Sequence, residues 1–298
     1  MLRIVEVGPR DGLQNESVAI SIDAKSAFIQ SLALAGLKEI EATSFVSPKW
    51  VPQLGDAAEL WPKLAGAQFS ALVPNLKGLE RALEVGVQRI AVFTAASDAF
   101  TLKNINMTVD QSLEAFREVV ERFREARPAG WVRGYVSTAF ECPFAGRVDP
   151  AETVDVARRL LELGCDEISL GDTIGVAVPR EVRTLTKLVI GEIPIERLNY
   201  HFHDTRGTAI ANVAEAYEFG VTSFDASAGG LGGCPYAPGA GGNLATDDLV
   251  YFFERNGVPT DVDPIRLAQA SLPVLAALGR RPAAKAQQAV LAALPPTQ

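Results

Sequence analysis

The chain is poor in several things that whole classes of function require. It has three cysteines (Cys142, Cys165 and Cys234), too few and too scattered for a disulfide framework, which suits a reducing cytosol. Basic residues are outnumbered: 28 Lys and Arg stand against 36 Asp and Glu, for a net charge of −8. That balance, with no basic run and no interleaved aromatic cluster, argues against nucleic acid as the main partner. No apolar stretch approaches the length of a membrane span. The first residues, Met1 to Val7, read at once as a strand and lack the form of a signal peptide, and the tail from Leu294 carries no recognisable address. The expectation is a cytoplasmic protein. Histidine is scarcest of all, with two in the chain.

What is present is a core-forming sequence of 298 residues, 48% of them hydrophobic, enough for one sizeable domain. An amphipathic helical run ending in Gly recurs, and an apolar strand core follows four residues later. The copies are Leu32–Gly36 before Ile40, Ala82–Gly86 before Ile90, Leu160–Gly164 before Ile168 and Glu215–Gly220 before Phe224. Gly just past a helix end supplies a left-handed residue, and the β-rich apolar run after it reads as a buried parallel strand. Filling the gaps gives eight strands near 2–7, 39–43, 69–74, 89–94, 132–138, 166–170, 197–203 and 222–227. Helix start signals fall at Asp23, Asp110 and Asp149-Pro150. Eight βα units predict a TIM (β/α)₈ barrel over about 2–256, with closing helices near 262–292, in a single domain spanning 1–298. An open doubly wound sheet is the alternative. It is disfavoured because no Gly-x-Gly-x-x-Gly follows the first strand.

In a barrel the chemistry gathers where strands run into the following loops. His201 and His203 sit together at the end of the seventh strand, and strand parity points both to one face. They read as half of a metal site or as a hydrogen-bonded core pair. Asp204, next in sequence, faces away and reads as an orienting or helix-capping group. The first strand ends in Gly8-Pro9-Arg10-Asp11-Gly12, whose turn chemistry holds both side chains near the mouth. Asp11 there can offer a carboxylate to a cation and Arg10 can hold an oxyanion; a surface ion pair is the plainer reading. Glu41 faces the interior by parity and needs Arg10 or a metal as partner. Ser169 and Asp225 share its repeat position, so the interior layer is polar. Asp172, after the sixth strand, can act as acid, base or orienting group. After the eighth strand, residues 229–243 contain seven glycines and resemble a mobile lid carrying Cys234. No Lys-Ser/Thr ending makes it a phosphate-binding loop. Asn243 can cap the following helix or give an amide oxygen to a metal.

Taken together, Gly8–Glu16, Glu41–Lys49, Gly171–Gly175, His201–Thr205 and Gly232–Ala237 resemble the 3-hydroxy-3-methylglutaryl-CoA lyase family, metal-dependent TIM-barrel lyases, over nearly the whole chain. The resemblance implies that Asp11, His201, His203 and Asn243 bind a divalent cation. It implies that Arg10 contacts substrate, and that Cys234, Glu41 and Asp172 take part in catalysis. Gln14, Lys49, Asn104, Asn106 and Arg206 are further candidate substrate contacts; Arg206 stands where animal members carry Tyr. Lys49 and Lys103, in loops at the mouth, read as surface lysines or as a lure for CoA phosphates. The N and O donor set suits Mg²⁺ or Mn²⁺, although imidazole also admits Zn²⁺ or Co²⁺. The expected reaction is a retro-Claisen cleavage of the acyl-CoA thioester to acetyl-CoA and acetoacetate, by a homo-oligomer with a dimer as default. A related aldolase or Claisen synthase is the neighbouring alternative. A non-catalytic metal- or acyl-CoA-binding barrel should have lost Arg10, Cys234 or a ligand, and this sequence retains them.

Overall fold

A computed structural model describes residues 2–233 and 242–295. Eight parallel strands close into a barrel: β1 (Arg3–Glu6), β2 (Glu39–Ser44), β3 (Gln68–Leu72), β4 (Arg89–Ala95), β5 (Trp131–Ser137), β8 (Glu167–Asp172), β9 (Leu198–Phe202) and β10 (Ser223–Ala226). A short antiparallel hairpin, β6 (Glu141–Cys142) with β7 (Gly146–Arg147), follows β5. Closure comes from β1 pairing with both β10 and β2. Each strand lies within two residues of its expected position.

The Gly repeat is what turns each helix back onto the sheet. Gly36, Gly86, Gly164 and Gly220 all have positive φ, from +83° to +107°. At Gly36 the need is doubled, because a Cβ there would lie 2.3 Å from the Asp261 carbonyl oxygen. The residue four positions on then faces the helices: Ile40, Ile90, Ile168 and Phe224 are all buried in one continuous core between barrel and helices. The helix Val109–Ala126 shows the matching pattern, burying Leu113, Phe116, Val120 and Phe123 on one side.

Two helix starts differ from expectation. Ser21 caps the helix Ile22–Leu34, and Thr108 caps Val109–Ala126 through a reciprocal pair of bonds with Gln111. Asp23 and Asp110 lie in the first turn, two residues past these caps, where a carboxylate favours the helix dipole without capping it. Asp149 does cap its helix, with Pro150 at the first helical position. The closing helices are Pro264–Ala270, Leu272–Ala277 and Lys285–Ala293. Buried Gln287 ties the last to the first two, donating to Ala268 O and Ser271 Oγ. No helix of the described residues is long and apolar enough to cross a membrane.

The barrel bore is charged rather than apolar. Arg133, 2% exposed, donates to Glu167 through Nη2 and to Asp225 through Nη1. Arg3 joins Glu167 to Glu39, and Glu39 also accepts from Arg89. Alternation along each strand delivers these side chains inward while their neighbours pack under the helices.

Candidate active site

All the principal groups arise at the C-terminal ends of strands. After β1 the chain makes one tight helical turn, Gly8–Gly12, in which the amides of Arg10, Asp11 and Gly12 all donate to Val7 O. Pro9 suits the first turn because it has no N–H to place. The turn aims Arg10 and Asp11 into the mouth. Arg10 donates through Nε to Glu41 and through Nη1 to Asp11 Oδ1 (2.6 Å) and Gln14 Oε1 (3.4 Å). Glu41 is closed off on its other side by the Tyr135 hydroxyl at 3.1 Å. Arg10 is thus a buried cation held by two carboxylates, and its proton is bound more tightly than in water: burial opposes the charge, but Glu41 and Asp11 outweigh it.

Opposite Asp11 stand the two imidazoles of β9 and its end. His201 Nε2 is 3.1 Å from His203 Nε2 and 3.9 Å from Asp11 Oδ2. Asn243 approaches from the other side, its Nδ2 donating to Asp11 Oδ2 at 3.0 Å and to Leu231 O at 3.1 Å. One donor atom from each of Asp11, His201 and His203 lies within 4.8 Å of the others, so these three can hold a metal ion. One orphaned atom supports the fit. Asn243 Oδ1 is buried with no hydrogen-bond partner, and such an atom is costly unless a ligand completes it. The donor set, one carboxylate, two imidazoles and an amide, suits a divalent cation. Charge agrees with this. Burial disfavours an ionised Asp11, but Arg10 and the two imidazoles together hold its pKa well below the usual range. Burial, helped by His201, lowers His203 to about 4, so it is neutral and able to ligate.

Asp172, the last residue of β8, is buried, and its two oxygens accept from the Val176 and Ala177 amides, each at 3.0 Å. Burial pushes its pKa up to about 6 against those bonds. Arg206 lies exposed beside the same loop and donates to Ile174 O and Gly175 O, both at 2.9 Å. It ties the loop after β9 to the loop after β8. Lys49, Asn104 and Asn106 are exposed. Lys103 and Asn104 belong to the helix Asp98–Ile105 rather than to a loop, and Asn106 ends that helix in the left-handed conformation at φ 55°. Asp204 accepts from Ala209 N, the first amide of the next helix, although Thr208 holds the cap position itself. Asn243 caps nothing: the helix after it begins at Thr246, leaving its amide for Asp11. Cys234 and its neighbours to 241 lie outside the described residues.

Three groups were not picked out from the sequence. Arg133 and Tyr135 link the two halves of the site, and parity along β5 was the signal that could have found them. Glu6 is the third. Its Oε1 accepts from the Gly8 and Ala228 amides and its Oε2 meets Thr246 Oγ1 at 2.6 Å, so it fastens the Arg10 turn to the loop after β10. Burial raises its pKa from 4.5 to about 7. The folded state therefore holds the proton more tightly, and Glu6 contributes most in acid; that contribution fades as pH rises from about 4.5 through 7. Glu6→Gln keeps the shape and stays neutral, its oxygen accepting both amides and its NH₂ facing Thr246. The variant should match the wild type at pH 4.5 and become more stable by up to about 3 kcal/mol at pH 8. Urea unfolding across that range reads it; parallel profiles would remove Glu6 as the titrating group.

The HMGL-like family model matches residues 1–274. The "3-hydroxy-3-isohexenylglutaryl-CoA/hydroxy-methylglutaryl-CoA lyase" of Pseudomonas aeruginosa is 47% identical over 294 residues, 98% of this chain and 97% of that protein. The crystal structure of hydroxymethylglutaryl-CoA lyase from Pseudomonas aeruginosa superposes with a TM-score of 0.95 at 47% identity, covering 98% of both chains. An HMG-CoA lyase from Acinetobacter baumannii, solved in complex with coenzyme A and 3-methylmalate, gives a TM-score of 0.92 at 39% identity, covering 100% of this chain and 98% of that one. With the barrel, the Arg10–Asp11 turn and the histidine pair all in place, the chain belongs to the HMGL-like family, among the hydroxymethylglutaryl-CoA lyases.

Proposed function

We propose that this chain cleaves 3-hydroxy-3-methylglutaryl-CoA to acetyl-CoA and acetoacetate. The 3-hydroxyl gives up its proton, the bond between C2 and C3 breaks, C3 becomes a ketone, and the electron pair leaves as a thioester enolate that is then protonated at carbon. The observation that carries the reading is the juxtaposition of Arg10, a fixed buried cation, with a three-residue set able to hold a metal, across one barrel mouth.

A divalent cation, Mg²⁺ or Mn²⁺ in this reading, held by Asp11, His201, His203 and Asn243, would supply chelation of the substrate carboxylate and hydroxyl and make that hydroxyl more acidic. Arg10 stabilises the enolate oxygen, a contribution of about 3 kcal/mol for one pre-placed donor. Asp172 takes the hydroxyl proton. Its pKa near 6 leaves it mostly ionised at neutral pH yet basic enough to accept. Glu41 is less suited, because it is ion-paired with the Arg10 guanidinium, whereas both Asp172 oxygens meet only neutral backbone amides. Cys234 donates the proton to the enolate carbon; Cys234→Ala should lose turnover and sensitivity to thiol reagents while melting at the wild-type temperature, and a fully active variant would exclude it.

The acyl group is tested directly. Purified protein with Mg²⁺ is offered 3-hydroxy-3-alkylglutaryl-CoA esters from methyl to isohexenyl, and products are identified by mass. Acetyl-CoA with acetoacetate from the methyl ester is expected; no cleavage of any ester would overturn the proposal. The isohexenyl ester is included because a relative's name carries it and because Arg206 borders the mouth.

A further inference from the structure

His201 and His203 present the same nitrogen, Nε2, to the same point, yet their other nitrogens are treated differently. His201 Nδ1 lies 3.1 Å from Asp225 Oδ2. His203 Nδ1 is buried and has no partner. Asp225 itself is 1% exposed and fully subscribed. Its Oδ1 accepts from Arg133 Nη1 (2.7 Å) and Asn199 Nδ2 (2.9 Å), and its Oδ2 from Ser169 Oγ (3.3 Å) and His201 Nδ1. A carboxylate facing a guanidinium and three further donors is an acceptor only. The hydrogen in the His201–Asp225 contact therefore sits on Nδ1, and a neutral His201 has its lone pair at Nε2.

We propose that Asp225 is the positioning residue that pre-sets His201 as a cation ligand, holding the ring from behind so that Nε2 faces the cation, a support that His203 lacks. This rests on reading Asp11, His201, His203 and Asn243 as the cation's ligands. The pair is asymmetric by construction. His201 is held by a carboxylate that is itself anchored through Arg133 to Glu167. His203 has nothing behind its ring, since its Nδ1 meets no partner. Fixing the ring and raising its basicity from behind is worth about 10- to 100-fold in metal affinity in sites of this kind.

The chain has two histidines and no more, so ¹⁵N-histidine labelling gives a readable spectrum. At constant neutral pH His201 should show a protonated Nδ1 both before and after Mg²⁺ is added, and a bare Nε2 once Mg²⁺ is bound. A His201 without a proton on Nδ1 in the Mg²⁺-loaded protein would overturn the proposal, and this measurement needs no variant to fold. Separately, Asp225→Asn should raise the Kd for Mn²⁺ about 10- to 100-fold. Glu167→Gln disturbs the same Arg133 without touching His201, and should leave that Kd near the wild-type value. Equal weakening in both variants, or none in Asp225→Asn, would sink the role given to Asp225. Failure of the wild type to bind Mn²⁺ would instead sink the metal-centre reading, leaving the nitrogen spectrum to decide on Asp225.

Discussion

Arg10→Gln is expected to lower turnover of 3-hydroxy-3-methylglutaryl-CoA by about 100- to 1,000-fold, the usual loss when one pre-placed oxyanion donor is removed. Gln can still hydrogen-bond, so the variant isolates the charge. The same substitution should not weaken cation binding. Arg10 Nη1 sits 2.6 Å from Asp11 Oδ1 and competes with a cation for that carboxylate, so its removal should leave Mn²⁺ affinity equal or tighter. Stability will fall, because Glu41, 1% exposed, keeps only the Tyr135 hydroxyl as a partner. Breaking a buried pair from one side costs about 3–5 kcal/mol, and the assay temperature must be set below the variant's melting point. Single-turnover rates read the chemistry and Mn²⁺ titration reads the site. Near-normal turnover would remove Arg10 from the mechanism. Loss of Mn²⁺ binding would mean that the charge mattered through Asp11.

The second large effect is expected for Asp11→Asn. Of the four proposed ligands, two imidazoles, one amide and one carboxylate, only Asp11 carries a negative charge. Arg10 and the imidazoles already hold it ionised, so the isosteric amide removes the one charge that opposes a dication directly. Mn²⁺ affinity should fall by more than the roughly 100-fold limit seen for outer-shell changes, and turnover should vanish with it. Stability should change little at the surface of the site, since Asp11 is partly exposed and Arg10 retains Glu41. Metal content after dialysis reads the result. A stoichiometric, tightly bound cation in Asp11→Asn would exclude Asp11 as a ligand.

Much of this could be read from the residues because two periodicities do the placing. A left-handed Gly followed four residues later by a buried apolar residue located four of the eight strands, and alternation along the strands placed Glu41, His201 and Asp225 inward. Those rules act within one element. The contacts that complete the site act between elements: Arg133 reaches Asp225 across 92 positions of sequence and Tyr135 reaches Glu41 across 94. Charge and parity show that such a side chain needs a partner, but only barrel closure decides which. Glu6 escaped for a related reason. It sits at the end of β1 facing out of the bore, where its partners Ala228 and Thr246 come from the far end of the chain. Helix starts were misplaced by a few residues where an acid in the first turn drew attention from the true cap, as at Ser21 and Thr108.

The ion-paired bore also constrains how this barrel can change over evolutionary time. Arg133, Glu167 and Asp225 are at most 2% exposed in their side chains, so losing one leaves a neighbour's charge short of a partner away from water. Single substitutions there are steps downhill, whereas a concerted swap to apolar residues of equal volume need cost nothing. Drift in this bore should therefore proceed by compensated sets, and related barrels should carry either the whole network or a wholly different filling.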